Sequence, residues 1–222
     1  MVSSQRMSTA ERKKVRPSRD QVRAWLTTVI SPLASALAVE HHRLTNDKGN
    51  WSFRCDTRDF EFFWPVGKMI AAPHEPNLRQ FLRYRPEFKK LAQDHDRALG
   101  GLRTAARNAY DRLLGNQRFM ALASSLSMSE NDRRYLAEYV VNSLRDLASY
   151  YAFHELWTRE GRRFLDLRND PVLTSEFAAL EAAGNDLSKR VTSFLKAIRT
   201  LQEELADRYK LPPVESTDAV RV

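Results

Sequence analysis

Residues 88–113 read FKKLAQDHDRALGGLRTAARNAYDRL, and this stretch decides the fold. Apolar and small residues, with one histidine among them, recur four and three positions apart at Phe88, Ala92, His95, Leu99, Leu102, Ala106, Ala109 and Leu113. That period places them on one face of a long helix that packs against partner helices. The stretch therefore predicts packed long helices with many arginine and lysine side chains on the outside.

A second repeat with the same spacing lies near the C-terminus, at Leu187, Val191, Phe194, Ile198, Leu201 and Leu205. The 222 residues include only seven glycines and nine prolines, fewer turn markers than a β-sandwich or a Gly-rich α/β enzyme needs. We therefore expect a mainly α protein, a bundle of about six helices, several of them long, with a small β-hairpin-like aromatic insertion. Two such repeats also favour a helix that packs against a second copy or another protein.

The composition changes along the chain and predicts three regions. Residues 1–17 are Ser-rich and basic, with few large apolar groups, and are expected to be a disordered tail. Residues 18–210 form the predicted helical domain, with the aromatic insertion at 46–76. Residues 211–222 include the Pro212-Pro213 pair, which ends the last helix, and are expected to be a second disordered tail.

Caps and helix breakers predict where the helices begin and end. Ser18 is expected to cap the first helix, which Pro32 kinks or restarts. Gly100-Gly101 costs about 1 kcal/mol per glycine in mid-helix and predicts a close helix crossing or a break into two helices. Asn77 is expected to cap the helix that follows it, and Gly184 to separate the last two helices.

The aromatic insertion has the alternation of short strands. Trp51 and Phe53 alternate with polar residues, and so do Phe62 and Trp64 further on. A hairpin alone cannot bury aromatic side chains on both faces, so a face that the bundle leaves uncovered would suit a protein partner. The candidate partner-binding residues are Trp51, Phe53, Phe62, Phe63 and Trp64.

The positive charge is unevenly distributed. The net charge is +8, and residues 79–118 carry ten basic against four acidic groups, whereas residues 119–222 carry 14 against 16. Clustered positive charge attracts phosphate backbones, and Tyr84 and Tyr110 would be available to stack on bases. The candidate nucleic-acid-binding residues are Arg79, Arg83, Arg85, Lys89, Arg103 and Arg107. A solvated face with no binding role remains the alternative.

Catalytic motifs are incomplete in this sequence. Arg145 precedes His154, which lies on an apolar helical stripe beside Tyr150. The helical layout resembles that of the HEPN ribonucleases, whose active site joins an arginine to a histidine a few residues further along a helix. Here the two lie nine residues apart, about 180° around a continuous helix, and so on opposite faces. The motif is therefore not met, the resemblance covers only the helical layout, and no catalytic residue is assigned. Arg145, Tyr150 and His154 are the candidates if the protein is a helical ribonuclease.

No cofactor or metal is expected from the motifs. The chain has no phosphate-cradling glycine loop and no His-Glu-x-x-His or Cys-x-x-Cys pattern, and His41-His42 diverge by about 100° on a helix. A single cysteine, Cys55, fits a reducing cytoplasm. Since no apolar run approaches the roughly 18 residues of a membrane span, we expect no membrane partner.

These observations together predict a non-enzymatic helical accessory subunit of a larger assembly, which binds a nucleic-acid backbone and a protein partner or a second copy. Two alternatives stay open. One is a HEPN-like helical ribonuclease or toxin-type effector. The other is a purely structural interaction or dimerisation module.

Overall fold

Two long helices, α5 (Glu87–Leu114) and α8 (Thr174–Tyr209), form the centre of the fold. The computed structural model describes residues 16–45, 53–54, 61–62, 65–70, 74–142, 163 and 166–212. Every position of the α5 repeat is buried except Ala92, which is half-buried, and every position of the second repeat is buried. The two helices make the most extensive helix–helix contact in the described chain. The repeats therefore form an internal seam rather than a dimer seam.

The chain begins with one helical rod made of α1 (Arg19–Trp25), a π-helical turn (Leu26–Ile30) and α2 (Ser31–Thr45). Ser18 caps it, as predicted, and forms a capping box with Gln21. The predicted restart at Pro32 is wrong. In the widened turn the Ser31 N–H donates to the Leu26 carbonyl, and Ser31 keeps helical dihedrals. The extra residue in this turn accommodates the proline without ending the helix.

The shorter helices pack around this frame. They are α3 (Pro65–Ile70), α4 (Pro76–Tyr84), α6 (Gln117–Ser125), α7 (Glu130–Asn142) and a 3-10 turn (Leu167–Asn169). The prediction that Asn77 caps a helix is wrong: the Glu75 carboxylate accepts from the Leu78 N–H, and Pro76 takes the first helical position. All of these elements contribute to one hydrophobic core.

The two glycine predictions within the long helices are also wrong. Gly100 and Gly101 lie inside an unbroken α5, and a Cβ added to either would meet nothing within 4 Å. The pair marks neither a crossing nor a break. Gly184 is buried in the middle of the 36-residue α8, so the last two predicted helices are one. Burial of the flanking apolar residues outweighs the propensity cost of a single glycine.

The mainly α class is confirmed. Within residues 46–64 the structure describes two short strands, β1 (Phe53–Arg54) and β2 (Glu61–Phe62), which pair antiparallel with Phe53 opposite Phe62. Pairing over two residues does not establish the predicted hairpin, and the side chains of residues 46–64 lie outside the described residues.

One helix of the described chain, Arg19–Thr45, is long and apolar enough to span a membrane by length and composition. Half of its most apolar window is buried inside the protein. The buried side includes Val22, Leu26, Ile30 and Leu37, all part of the hydrophobic core. The same length and composition are also found in a core helix of a helical bundle.

Candidate nucleic-acid interface

Two of the predicted cations, Arg79 and Arg83, lie on the outer face of α4. The buried side chain of this helix, Phe81, is midway between them in sequence, so each arginine is rotated about 160° from it. Both arginines are exposed. The Arg79 guanidinium also donates to the His74 carbonyl oxygen at 3.0 Å, which holds it at the start of the helix.

Three more predicted cations share one side of α5. Lys89, Arg103 and Arg107 are exposed, and helical periodicity places them within an arc of about 40°. They extend over about 27 Å of the helix axis. Asp96 and Gly100 complete this surface, which we call the α5 flank: Lys89, Asp96, Gly100, Arg103 and Arg107. The structure therefore brings half of the six predicted cations together, with one carboxylate among them.

Arg85 does not belong to this surface. Its guanidinium pairs with Glu204 of α8 at 2.9 Å and with Glu87 at 2.9 Å, and it lies 6.0 Å from the centre of the Tyr84 ring. The side chain is only 24% exposed. Arg85 therefore fixes the corner between α4 and α5 onto α8, and its charge is largely compensated inside the protein.

The two tyrosines proposed for base stacking are committed to the core. Tyr110 is only 9% exposed, so its ring is not accessible to a base. Tyr84 is half-buried, and its ring packs on Trp25 with the centroids 5.3 Å apart. The prediction of a stacking role for Tyr110 is wrong, because helical periodicity turns this residue toward the seam.

Several arginines elsewhere on the described surface pair with carboxylates. Arg97 pairs with Asp94 at 3.2 Å, Arg118 with Asp170 at 3.3 Å and Arg134 with Glu130 at 2.6 Å. Arg112 lies 3.4 Å from Glu176. A hydrogen bond from the Ser175 hydroxyl, with a smaller contribution from Arg112, holds the pKa of the Glu176 carboxyl below its usual value.

The sequence did not reveal a polar groove between α2 and α8. Its volume is about 320 Å³, and its floor is formed by Ala38 and Leu195. The polar side chains around it are His41, Thr192, Lys196, Arg199, Thr200 and Glu203. The polar residues of α8 that line the groove are three and four positions apart, and this spacing is visible in the sequence. The packing of α2 against α8, which completes the groove, is not.

Metal binding finds no support in the part of the chain that the structure describes, where no group of three or more histidine, cysteine or carboxylate residues gathers. His95 is fully buried in the seam and pairs with Glu40 of α2 at 3.0 Å. Its neighbours diverge, as expected on a helix: Asp94 binds Arg97, and Asp96 is exposed.

Several predicted site residues lie outside the described residues: Arg145, Tyr150, His154, Trp51, Phe63 and Trp64. Only the backbones of Phe53 and Phe62 are described. Of the cations in the basic N-terminal segment, Arg19 donates to the Lys210 carbonyl oxygen at 3.0 Å and so joins α1 to the end of α8.

Comparison of the chain with protein-family models, with curated proteins and with solved structures found no match in any of the three.

Proposed function

We propose that this protein is a non-enzymatic subunit that binds the phosphate backbone of a nucleic acid through the α5 flank and the outer face of α4. The observation that carries the proposal is the alignment of Lys89, Arg103 and Arg107 on one exposed side of a rigid 28-residue helix. Backbone contacts of this kind need no base-reading motif.

The spacing along the helix suits a phosphate chain. Arg103 and Arg107 are about 6 Å apart along the axis, close to the distance between successive phosphates of a strand. Lys89 lies about 27 Å from Arg107 along the axis, so the contact would extend over about eight base-pair steps of a duplex. Gly100 lies between them and has no side chain, which allows a strand to approach the helix closely. Such binding would be sequence-independent and strongly dependent on salt.

Partner binding is proposed for the aromatic insertion. Within the described surface, large exposed apolar side chains are confined to Tyr135 and Val172. A protein-binding patch is normally larger than two such residues, so we assign the partner site to the predicted hairpin and its residues Trp51, Phe53, Phe62, Phe63 and Trp64. A cytoplasmic location and membership of a larger assembly complete the proposal.

Charge reversal on the α5 flank tests the nucleic-acid proposal. We expect Arg103→Glu/Arg107→Glu to weaken binding of a fluorescent 20-base-pair duplex at least tenfold and to lower the slope of log affinity against log salt by about 2, because two phosphate contacts are lost. Fluorescence anisotropy at four salt concentrations measures both quantities. Single-stranded RNA of the same length distinguishes RNA from DNA as the preferred ligand.

A matched control separates local contacts from net charge. Lys189→Glu/Lys196→Glu makes the same charge change on exposed positions of α8 and should lower the affinity much less. Equal losses in the two double variants, or an unchanged salt slope in the first, would reject the α5 flank as the interface. Cleavage of the RNA that His154→Ala abolishes would instead favour the HEPN-like alternative.

A further inference from the structure

An apolar cavity of about 260 Å³ lies where the π-helical turn, α2, α3, α4, α5 and α8 meet. Its walls consist of aliphatic, methionine and phenylalanine side chains with two polar residues: Thr28, Val29, Leu33, Met69, Glu75, Leu78, Phe81, Leu82, Phe88, Ala92 and Phe194. It is separate from the α5 flank, whose residues do not line it.

Three phenyl rings form a connected wall of this cavity. The centroids of Phe81 and Phe88 are 5.5 Å apart, and those of Phe88 and Phe194 are 6.4 Å apart. These separations are typical of stacked and tilted aromatic contacts, so a further ring would find neighbours at favourable distances. The rings belong to three different helices, which makes the wall a product of the folded protein.

The two polar residues in the wall already have partners in the protein. The Thr28 hydroxyl donates to the Ala24 carbonyl oxygen at 2.8 Å, and the Glu75 carboxylate accepts from the Leu78 N–H. The lining provides no cationic group for an anionic ligand. An anionic ligand would therefore lose its hydration without gaining a counter-charge, which disfavours anions in this cavity.

The cavity adjoins an irregular part of the backbone. Thr28 and Val29 belong to the π-helical turn Leu26–Ile30, and this widened turn forms one wall. Turns of this type inside α-helices are frequent at functional sites. Protein interiors are normally close-packed, and an apolar void of roughly 150 Å³ is enough to bind benzene.

We propose that the cavity binds a compact, uncharged aromatic molecule of one or two fused rings. Its volume exceeds what a single benzene ring requires, and the three rings of its wall provide apolar contacts for a flat aromatic ligand. This inference does not depend on nucleic-acid binding.

Calorimetry and thermal denaturation of the full chain with indole test the proposal, with benzoate as a charged aromatic and dodecanoate as a chain ligand. We expect saturable binding of indole and a rise in Tm with its concentration, and no effect of benzoate. Binding of dodecanoate in preference to indole, or no saturable binding of indole, would overturn the proposed ligand class.

Filling the cavity supplies the second measurement. Ala92→Leu should abolish indole binding and raise the Tm of the free protein, since the added methyl groups enter existing space. Gln93→Leu, an exposed position one residue away, should leave indole binding intact. If Ala92→Leu does not fold, Leu82→Phe serves the same purpose. Retained indole binding in a folded cavity-filling variant would place the ligand elsewhere and overturn the assignment.

Discussion

The Glu40–His95 pair is the most unusual residue contact in the described chain. Both side chains are fully buried, with His95 Nε2 3.0 Å from Glu40 Oε1. The remaining polar atoms, His95 Nδ1 and Glu40 Oε2, have no hydrogen-bond partner among the described residues. Removing either side chain would therefore leave a buried polar group without any partner, which is more costly than losing the hydrogen bond itself.

A double-mutant cycle measures this coupling. We expect Glu40→Met and His95→Leu each to lower the free energy of unfolding by about 3 kcal/mol, and the double variant to lose at least 1 kcal/mol less than the sum. Urea denaturation followed by far-UV circular dichroism gives the four values. Strict additivity would show that the two side chains do not stabilise each other.

At the scale of single residues, the sequence predicted which face of a helix a side chain occupies but not which side chain it contacts. The spacing placed His95 on the seam, and the structure buries it there. Glu40 was not identified, because it lies 55 residues earlier on another helix and nothing in local spacing relates the two. The ion pair of Arg85 was missed for the same reason, since its partner Glu204 is 119 residues away.

Among the elements, α5 contains two glycines that lower its helix propensity and that no close contact with another element requires. Gly100 and Gly101 are exposed in mid-helix with open space beside both. We expect Gly100→Ala and Gly101→Ala each to raise the free energy of unfolding by about 0.5–1 kcal/mol, because alanine restricts the unfolded chain and favours the helix. Thermal and urea denaturation measure the gain.

Gly67→Ala is the matched control in α3. A Cβ at this position would lie 3.3 Å from Leu99 Cδ2, so the side chain of Leu99 must give way and the gain should be smaller or absent. Destabilisation by alanine at Gly100 or Gly101 would contradict the open environment of the pair.

One helix start was predicted and one was not. Ser18 caps α1, as predicted, through a hydrogen bond to a backbone N–H three residues away, whereas Glu75 rather than Asn77 caps α4. Pro32 and Gly184 did not interrupt their helices. A proline or a glycine lowers the stability of a helix locally, but the burial of neighbouring apolar side chains against other helices offsets this loss. The sequence around each residue does not show that burial.

At the scale of the whole molecule, one core joins all the described helices. Leu102 is fully buried at the centre of the seam between α5 and α8. Leu102→Ala should lower the free energy of unfolding by about 2–5 kcal/mol, and tryptophan fluorescence and far-UV circular dichroism should still report one coincident transition. Two separate transitions would show that the bundle consists of independently unfolding parts.

The architecture was more predictable than the candidate site. In the two long helices, apolar residues recur every three or four positions over many residues, and this pattern predicted the mainly α class. The charge of residues 79–118 was equally visible, but the fold decides which of these cations share an exposed surface. Helical periodicity predicted that Arg103 and Arg107 lie on one side of α5. The apolar cavity is formed by residues of six elements, and no sequence pattern indicated it.

The hydrogen bond from Arg19 to the Lys210 carbonyl oxygen joins the two ends of the described bundle. The start of α1 and the end of α8 therefore lie at one corner of the described bundle. A short linker could join these two points, and the exposed turn at Gly115 would then supply the new termini of a circular permutant.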